Sequence, residues 1–175
     1  MANLTAALPT GTWTLYYHAP KEKRWSIDTF KPIMKVSTLG ETLSIFREMG
    51  DKLKRGMYFF MRDPSPPLWE NYQNIRGGSY SVRGGADTGI EIYKHYVISS
   101  MLNMSVESAD DMIAGISVSP KIMNGPNNTS KIGFYVIKIW NKDSSKFNRP
   151  ASLNLVHPKL VPSDIMYTPH TDKKM

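Results

Sequence analysis

Two segments with helical periodicity, each opened by Thr-x-x-Glu, interrupt a chain otherwise made of short β-rich runs. That alternation restricts the fold more than any other feature. Thr38-Leu39-Gly40-Glu41 and Thr88-Gly89-Ile90-Glu91 have the capping-box form, in which a hydroxyl and a carboxylate satisfy each other's backbone donors at a helix start. After the first, Leu39, Leu43, Phe46, Met49 and Leu53 recur at helical spacing until Gly56. After the second, Ile90, Tyr93, Val97, Met101 and Met104 mark a buried face. Strand patterns fill much of the rest: Trp13–His18, a run through Trp25, Ile27 and Thr29, then Ile33–Val36, Met57–Met61, Ser79–Val82, Ile113–Val118, Ile132–Trp140 and Asp164–Tyr167. Arg76-Gly77-Gly78 and Arg83-Gly84-Gly85 read as hairpin turns around Ser79–Val82, and the polar stretch 120–131 as a long flexible hairpin loop. Segment 148–163 is ill defined, with a short helix broken by Pro158 and Pro162. Hairpin-joined strands with interspersed helices predict an α+β fold on a mainly antiparallel sheet rather than a βαβ succession. Residues 1–12 show no period and are expected to form a flexible arm before a single domain over 13–175.

Composition narrows the chemistry. The chain has no cysteine, which removes disulfides, thiol nucleophiles and cysteine metal sites. His18, His95, His157 and His170 lie far apart, without metal-ligand spacing. Neither a G-x-S-x-G elbow nor a Walker loop or GxGxxG turn occurs. The neighbouring acids Asp110-Asp111 read as solvated. Nothing here points to an enzyme, a cofactor or a metal. No apolar run approaches the roughly 20 residues that span a bilayer, and Met1–Thr5 lacks the basic head and apolar stretch of a secretion signal. A reducing compartment, cytoplasm or nucleus, is therefore expected. A net charge of +7 favours a polyanionic partner. The cations cluster in short groups, which suits a small anionic group held between loops better than a groove along nucleic acid.

The tryptophans are the candidate functional residues. Trp13 alternates with Leu15 and reads as core. Trp25 in Lys23-Arg24-Trp25-Ser26, Trp69 in Pro66-Pro67-Leu68-Trp69-Glu70, and Trp140 in Lys138-Ile139-Trp140-Asn141-Lys142 sit where the chain leaves a strand or rounds a turn. For Trp25 and Trp69, core filling and ligand stacking both remain open. Glu70 tips the balance, because a carboxylate can accept two parallel N–H bonds from the edge of a guanine. Positioned indoles beside a carboxylate and many cations suit a flat, positively charged base with a phosphate tail.

Over roughly residues 8–175 the chain resembles the eukaryotic translation initiation factor 4E family. The resemblance is carried by Pro67-Leu68-Trp69-Glu70-Asn71-x-x-Asn74-x-Arg76-Gly77-Gly78, against a family pattern P-x-W-E-x-x-x-N-x-x-G-G. Lys138–Lys142 and Ile165-Met166-Tyr167-x-x-His170-Thr171-Asp172 resemble the family's later strands. It implies a curved sheet of about eight strands, with helices on the convex face and a pocket on the concave face for the 7-methylguanosine cap of mRNA. Trp25 and Trp69 would sandwich the methylated base, Glu70 would take its N1–H and amine protons, and Trp140 would pack on the methyl group. Stacking is worth roughly 1–3 kcal/mol per base, and cation–π attraction adds about 2 kcal/mol when desolvated.

The chain departs from the family around the phosphates. The family's phosphate-binding arginine falls on Ser119 or Pro120, so Lys121 and Lys131 become the candidate cations. Ser79 occupies a position that is often cationic. The resemblance also implies partners besides capped mRNA: a scaffold of the initiation factor 4G type, or a repressor carrying a Tyr-x-x-x-x-Leu helix. The family tryptophan that grips such helices corresponds to Leu43, with Leu8, Pro9, Leu39 and Ile98 as further candidates. Apart from such a partner the chain is expected to be monomeric. Initiation and its repression need the same pocket. A rival from another class, a cap-cleaving hydrolase, would need a cluster of metal-binding carboxylates.

Overall fold

The computed structural model describes residues 3–107 and 112–172, so Asp110-Asp111 lies outside the described residues. Its strands are β1 (Trp13–His18), β2 (Phe30–Val36), β3 (Met57–Arg62), β4 (Gly78–Gly85), β5 (Ile113–Asn124), β6 (Ser130–Asn141) and β7 (Ile165–Pro169), with helices α1 (Leu39–Met49) and α2 (Gly89–Met101). The seven strands form one curved sheet in the order β2-β1-β3-β5-β6-β4-β7, with every pair antiparallel. This is the α+β architecture that the sequence predicts.

Strand periodicity assigns the two faces. Trp13 and Leu15 of β1, Tyr58 and Phe60 of β3, Tyr80 and Val82 of β4, and Tyr135, Ile137 and Ile139 of β6 are buried in one cluster with both helices. The alternate positions Phe59, Met61 and Trp140 belong to a second, smaller cluster on the opposite face, as a side-chain period of two requires. From the helices come Leu39, Ile45 and Phe46 of α1 and Ile92, Tyr93, Tyr96, Val97 and Met101 of α2. Each fully buried side chain of this size contributes about 1.5–3 kcal/mol, so the helix side holds the sheet together. The other face is left free to carry a site.

Several local expectations are corrected. The run Trp25–Thr29 is no strand: Ile27–Thr29 is a 3-10 turn. Thr29 Oγ1 donates to the Ser26 carbonyl at 2.7 Å and Ser26 Oγ donates to Asp28, so polar side chains capture the backbone bonds that a strand would use. Ile33–Val36 is the end of a longer strand, and Pro32 is tolerated within it because β2 is an edge strand. The first helix stops at Met49 rather than Gly56, because Gly50 takes a positive φ of 48°. Leu53 is then buried from a following 3-10 turn. Thr38 and Glu41 form both bonds of their capping box, whereas the Thr88 side chain makes no cap bond. Met104 lies beyond α2 and is exposed; Ile92 and Tyr96 occupy the buried face instead. Gly84 and Gly85 continue β4 rather than turning. The 120–131 loop is mostly strand, with only Gly125–Thr129 between β5 and β6. Segment 148–163 holds no α-helix among its described residues, only a 3-10 turn at Pro150–Ser152, with another starting at Pro162. Within the expected arm, residues 7–10 are held against the rest of the chain. Leu8 is buried, its N–H donates to the Ser37 carbonyl at 2.8 Å, and Thr10 Oγ1 donates to the Met101 carbonyl at 2.8 Å.

Candidate functional site

On the face away from the helices lies a hollow of about 300 Å³, lined chiefly by Trp25, Trp69, Glu70, Trp140, Ser117 and Lys138. Trp25 comes from the β1–β2 loop, Trp69 and Glu70 from the β3–β4 loop, and the remaining three from β5 and β6. The structure thus brings together all four residues expected to contact a base.

Trp25 is 49% exposed, yet it is held. The fully buried ring of His18 lies flat against it, with centroids 4.3 Å apart and planes 4° apart. His18 Nε2 is 3.0 Å from the Arg24 carbonyl; a carbonyl only accepts, so Nε2 carries the proton. One indole face is therefore covered, and the opposite face is available to a ligand.

Trp69 is positioned by the motif around it. The buried Asn74 amide donates to the carbonyls of Pro66 and Leu68, both at 2.8 Å. The Asn74 backbone carbonyl accepts from Gly77 N at 2.9 Å and pairs with His170 Nδ1 at 2.7 Å. Asn74 is the clamp that folds the loop and presents Trp69-Glu70 at its edge. Gly77 follows from close approach: a Cβ there would lie 1.9 Å from the Asn141 carbonyl oxygen. Trp140, nearly buried, forms the floor. Its Nε1 donates to Ser117 Oγ at 3.3 Å, and its ring meets Phe59 and His170 edge-on.

The cations are arranged differently from expectation. Lys138 lines the hollow, directly opposite Ser117 in the β5–β6 register. Burial, and secondarily the charge of Lys121, hold its pKa below the ordinary lysine value. Lys121 is exposed and lies near enough to act on Lys138, but it does not line the hollow. Lys131 lines a separate hollow with Tyr17, Lys21 and Arg55 and does not line this one. Of Ser119 and Pro120, Ser119 is the one in the pocket; Ser79 is buried.

The expected partner surface is also redrawn. Leu8 and Leu39 are buried in the core, and Ile98 is half-buried against it, while Pro9 and Leu43 are exposed. Leu43 joins Leu4 and Met34 around a hollow of about 710 Å³ on the outer side of α1, bordered by Glu41, Arg47 and Glu48. Among the described residues no group of three or more acids and histidines is placed to hold a metal ion, and no helix is long and apolar enough to cross a membrane.

Residues 10–175 match the family model for eukaryotic initiation factor 4E. The chain belongs to the eukaryotic initiation factor 4E family. It is 28% identical over 144 residues to the translation initiation factor 4E of Saccharomyces cerevisiae, covering 77% of this chain and 61% of that protein. The chain therefore spans about six-tenths of the curated relatives it matches. Among solved structures, Ascaris suum eIF4E-3 with m7G cap superposes with a TM-score of 0.67 at 19% identity, covering 97% of this chain and 93% of that one. Caenorhabditis elegans eIF4E-3 with the 4E-binding protein Mextli and a cap analog gives 0.61 at 18% identity, covering 80% and 76%. At these identities the likeness is one of fold.

Against the initiation factor 4E pattern, sequence reasoning missed Lys138 in the pocket and Leu4 and Met34 beside Leu43. For Lys138 a signal existed. It stands two residues before Trp140 in one strand, so both point to the same face.

Proposed function

We propose that this chain is a non-enzymatic reader of the 7-methylguanosine cap of mRNA, acting in translation initiation in the cytoplasm through a scaffold partner. The observation that carries the reading is the convergence of Trp25, Trp69, Glu70 and Trp140 on one hollow, with Trp25 backed by a buried ring. Methylation at N7 gives guanine a delocalised positive charge. Between two indoles such a base gains roughly 1–3 kcal/mol of stacking per contact and about 2 kcal/mol of cation–π attraction once desolvated. Glu70 accepts the N1–H and the exocyclic amine, an edge that adenine does not offer. Trp140 lies beneath the methyl group. The triphosphate runs along β5 and β6 toward Lys138, with Lys121 behind it.

The second surface is the hollow around Leu4, Met34 and Leu43, which suits the apolar side of an amphipathic helix flanked by charge. A scaffold or a repressor carrying Tyr-x-x-x-x-Leu would dock there. Both roles use the same pocket, and the sense of regulation depends on which partner is bound.

A titration of tryptophan fluorescence tests the reading. 7-Methyl-GTP is expected to bind at least about thirtyfold more tightly than GTP, the equivalent of the lost cation–π contribution. Equal affinities would overturn the assignment, and turnover of a capped dinucleotide would favour the hydrolase. Trp69→Ala and Glu70→Ala should each abolish retention on a cap-analogue resin while melting as the parent protein does.

A further inference from the structure

We propose that Arg83 and Phe134 form a second subsite, beyond the cap pocket, for the first transcribed nucleotides of a capped RNA. The inference rests on the cap-binding reading and extends it along the same strands. Sheet register places the subsite. Lys138 stands opposite Ser117, Val136 opposite both Ser119 and Arg83, and Phe134 opposite both Lys121 and Gly85. Successive alternate positions of β6 therefore lead from the pocket residues Trp140 and Lys138 to Phe134, all on one face. Phe134 lies four residues from Lys138, about 13 Å at strand rise. A phosphate chain leaving the pocket past Lys138 reaches this row next.

The side chains there suit a nucleotide. The Arg83 guanidinium carbon sits 3.9 Å from the centre of the Phe134 ring. A guanidinium held over an aromatic ring can stack a base on its outer side and direct N–H donors to a phosphate. Gly85, opposite Phe134, has no side chain of its own, and the place a Cβ would take lies 2.9 Å from Asp87 Oδ1. Among the described residues no carboxylate forms an ion pair with Arg83, Lys121 or Lys138. Asp87, on the turn after β4, pairs with Lys159 at 3.7 Å.

The framework extends in the same direction. Pairing of β3 with β5 stops at Val118, whereas β5 and β6 stay paired to Asn124 and Ser130, forming a two-stranded arm past the sheet. Lys121 stands at its base and Met123 on it is exposed, while Ile122 turns to the separate hollow with Lys131. A cationic, partly apolar arm continuous with the pocket matches single-stranded RNA, whose bases stack and whose phosphates attract cations.

The test compares 7-methyl-GTP with a 7-methylguanosine-capped tetranucleotide on the full chain. The parent protein is expected to bind the capped tetranucleotide about tenfold more tightly than 7-methyl-GTP. Arg83→Ala should erase that ratio and lower the salt slope for the oligonucleotide by about 0.7, one phosphate contact on a single strand. Phe134→Leu, which keeps an apolar side chain under Arg83, should lower the ratio without changing the slope. A parent protein that prefers 7-methyl-GTP to GTP but binds the tetranucleotide no better overturns this subsite alone. So does Arg83→Ala weakening both ligands equally. Loss of the preference for 7-methyl-GTP over GTP instead removes the cap reading beneath it.

Discussion

Replacing Lys138 with methionine separates the phosphate arm of the site from its base arm and tests the physics of both. The ammonium lines the hollow beside Trp140, with its pKa lowered first by burial and then by Lys121. A phosphate at about 4 Å would attract it by roughly 4 kcal/mol at an effective dielectric of about 20. Desolvation offsets part of this, and charged hydrogen bonds net about 1.5–3 kcal/mol, a factor of roughly 10 to 150 in affinity. Lys138→Met should therefore weaken 7-methyl-GTP by that factor and leave 7-methylguanosine, which has no phosphate, unchanged.

The pH dependence has a definite sign. Bound phosphate favours the charged lysine, so the triphosphate's advantage over the nucleoside should fall as pH rises through the lowered pKa of Lys138. In Lys138→Met the ratio should stay flat. Using the ratio cancels the loss of the base's own N1 proton at mildly alkaline pH. Stability runs the other way. Between the lowered folded value and the ordinary 10.5, the unfolded chain binds more protons, so stability rises with pH in that window and the penalty is full below it. Lys138→Met should then melt higher than the parent at neutral pH, with the gap closing as pH approaches the ordinary lysine value. Fluorescence titration with both ligands, alongside thermal melts across pH, reads all of this. Equal losses for nucleoside and triphosphate, or no loss for either, would refute the placement of the phosphates at Lys138.

Four further outcomes follow from named contacts. Ser119→Arg in the Lys138→Met background should recover at least part of the triphosphate affinity, since residue 119 also lines the pocket; no recovery would place the phosphates elsewhere. Asn74→Ala removes the donor to two carbonyls, so melts should show a loss of about 1–3 kcal/mol together with weaker 7-methyl-GTP binding; unchanged binding would mean that Trp69 is held without the clamp. His18→Ala takes away the ring beneath Trp25 and should weaken 7-methyl-GTP severalfold, with His18→Phe recovering part of the loss; equal behaviour of the two variants would argue against a stacking role. Leu43→Glu should cut binding of a Tyr-x-x-x-x-Leu peptide at least tenfold in fluorescence anisotropy while 7-methyl-GTP still binds; full peptide affinity would move the docking surface off α1.

What could be read before folding depended on whether a residue's environment was local. The strand Trp13–His18 was legible to its ends because its alternation is undisturbed and its neighbours are turn residues. The Thr38–Glu41 cap was legible because both partners lie within one turn. Thr88 and Glu91 carry the same pattern but no such bond, because packing sets that helix start: a Cβ on Gly89 would lie 2.4 Å from Tyr135. Edge strand β2 was half hidden because Pro32 discourages a strand reading until its edge position is known. Leu39 and Leu43 look alike in a helical stripe, and only the arrangement of the sheet decides that Leu39 is buried and Leu43 faces out.

Lys138 shows how a pairing register brings into a pocket a residue that a linear comparison passes over. A lysine between isoleucines reads as the solvent side of a strand, and here that side lines the pocket. The family's arginine falls on Ser119 or Pro120; Ser119, which lines the pocket, is paired with Val136, one alternate residue beyond Lys138. The lysine that lines the pocket is Lys138 of β6, beside Trp140. A rim cation stays hydrated and stabilises a phosphate weakly at little cost to the fold. A deeper one is partly stripped of water, so it destabilises the empty protein and gains more when the phosphate arrives. On the proposed reading, the burial that lowers the pKa of Lys138 also strengthens its hold on a phosphate, so stability and affinity at this residue should change in opposite directions.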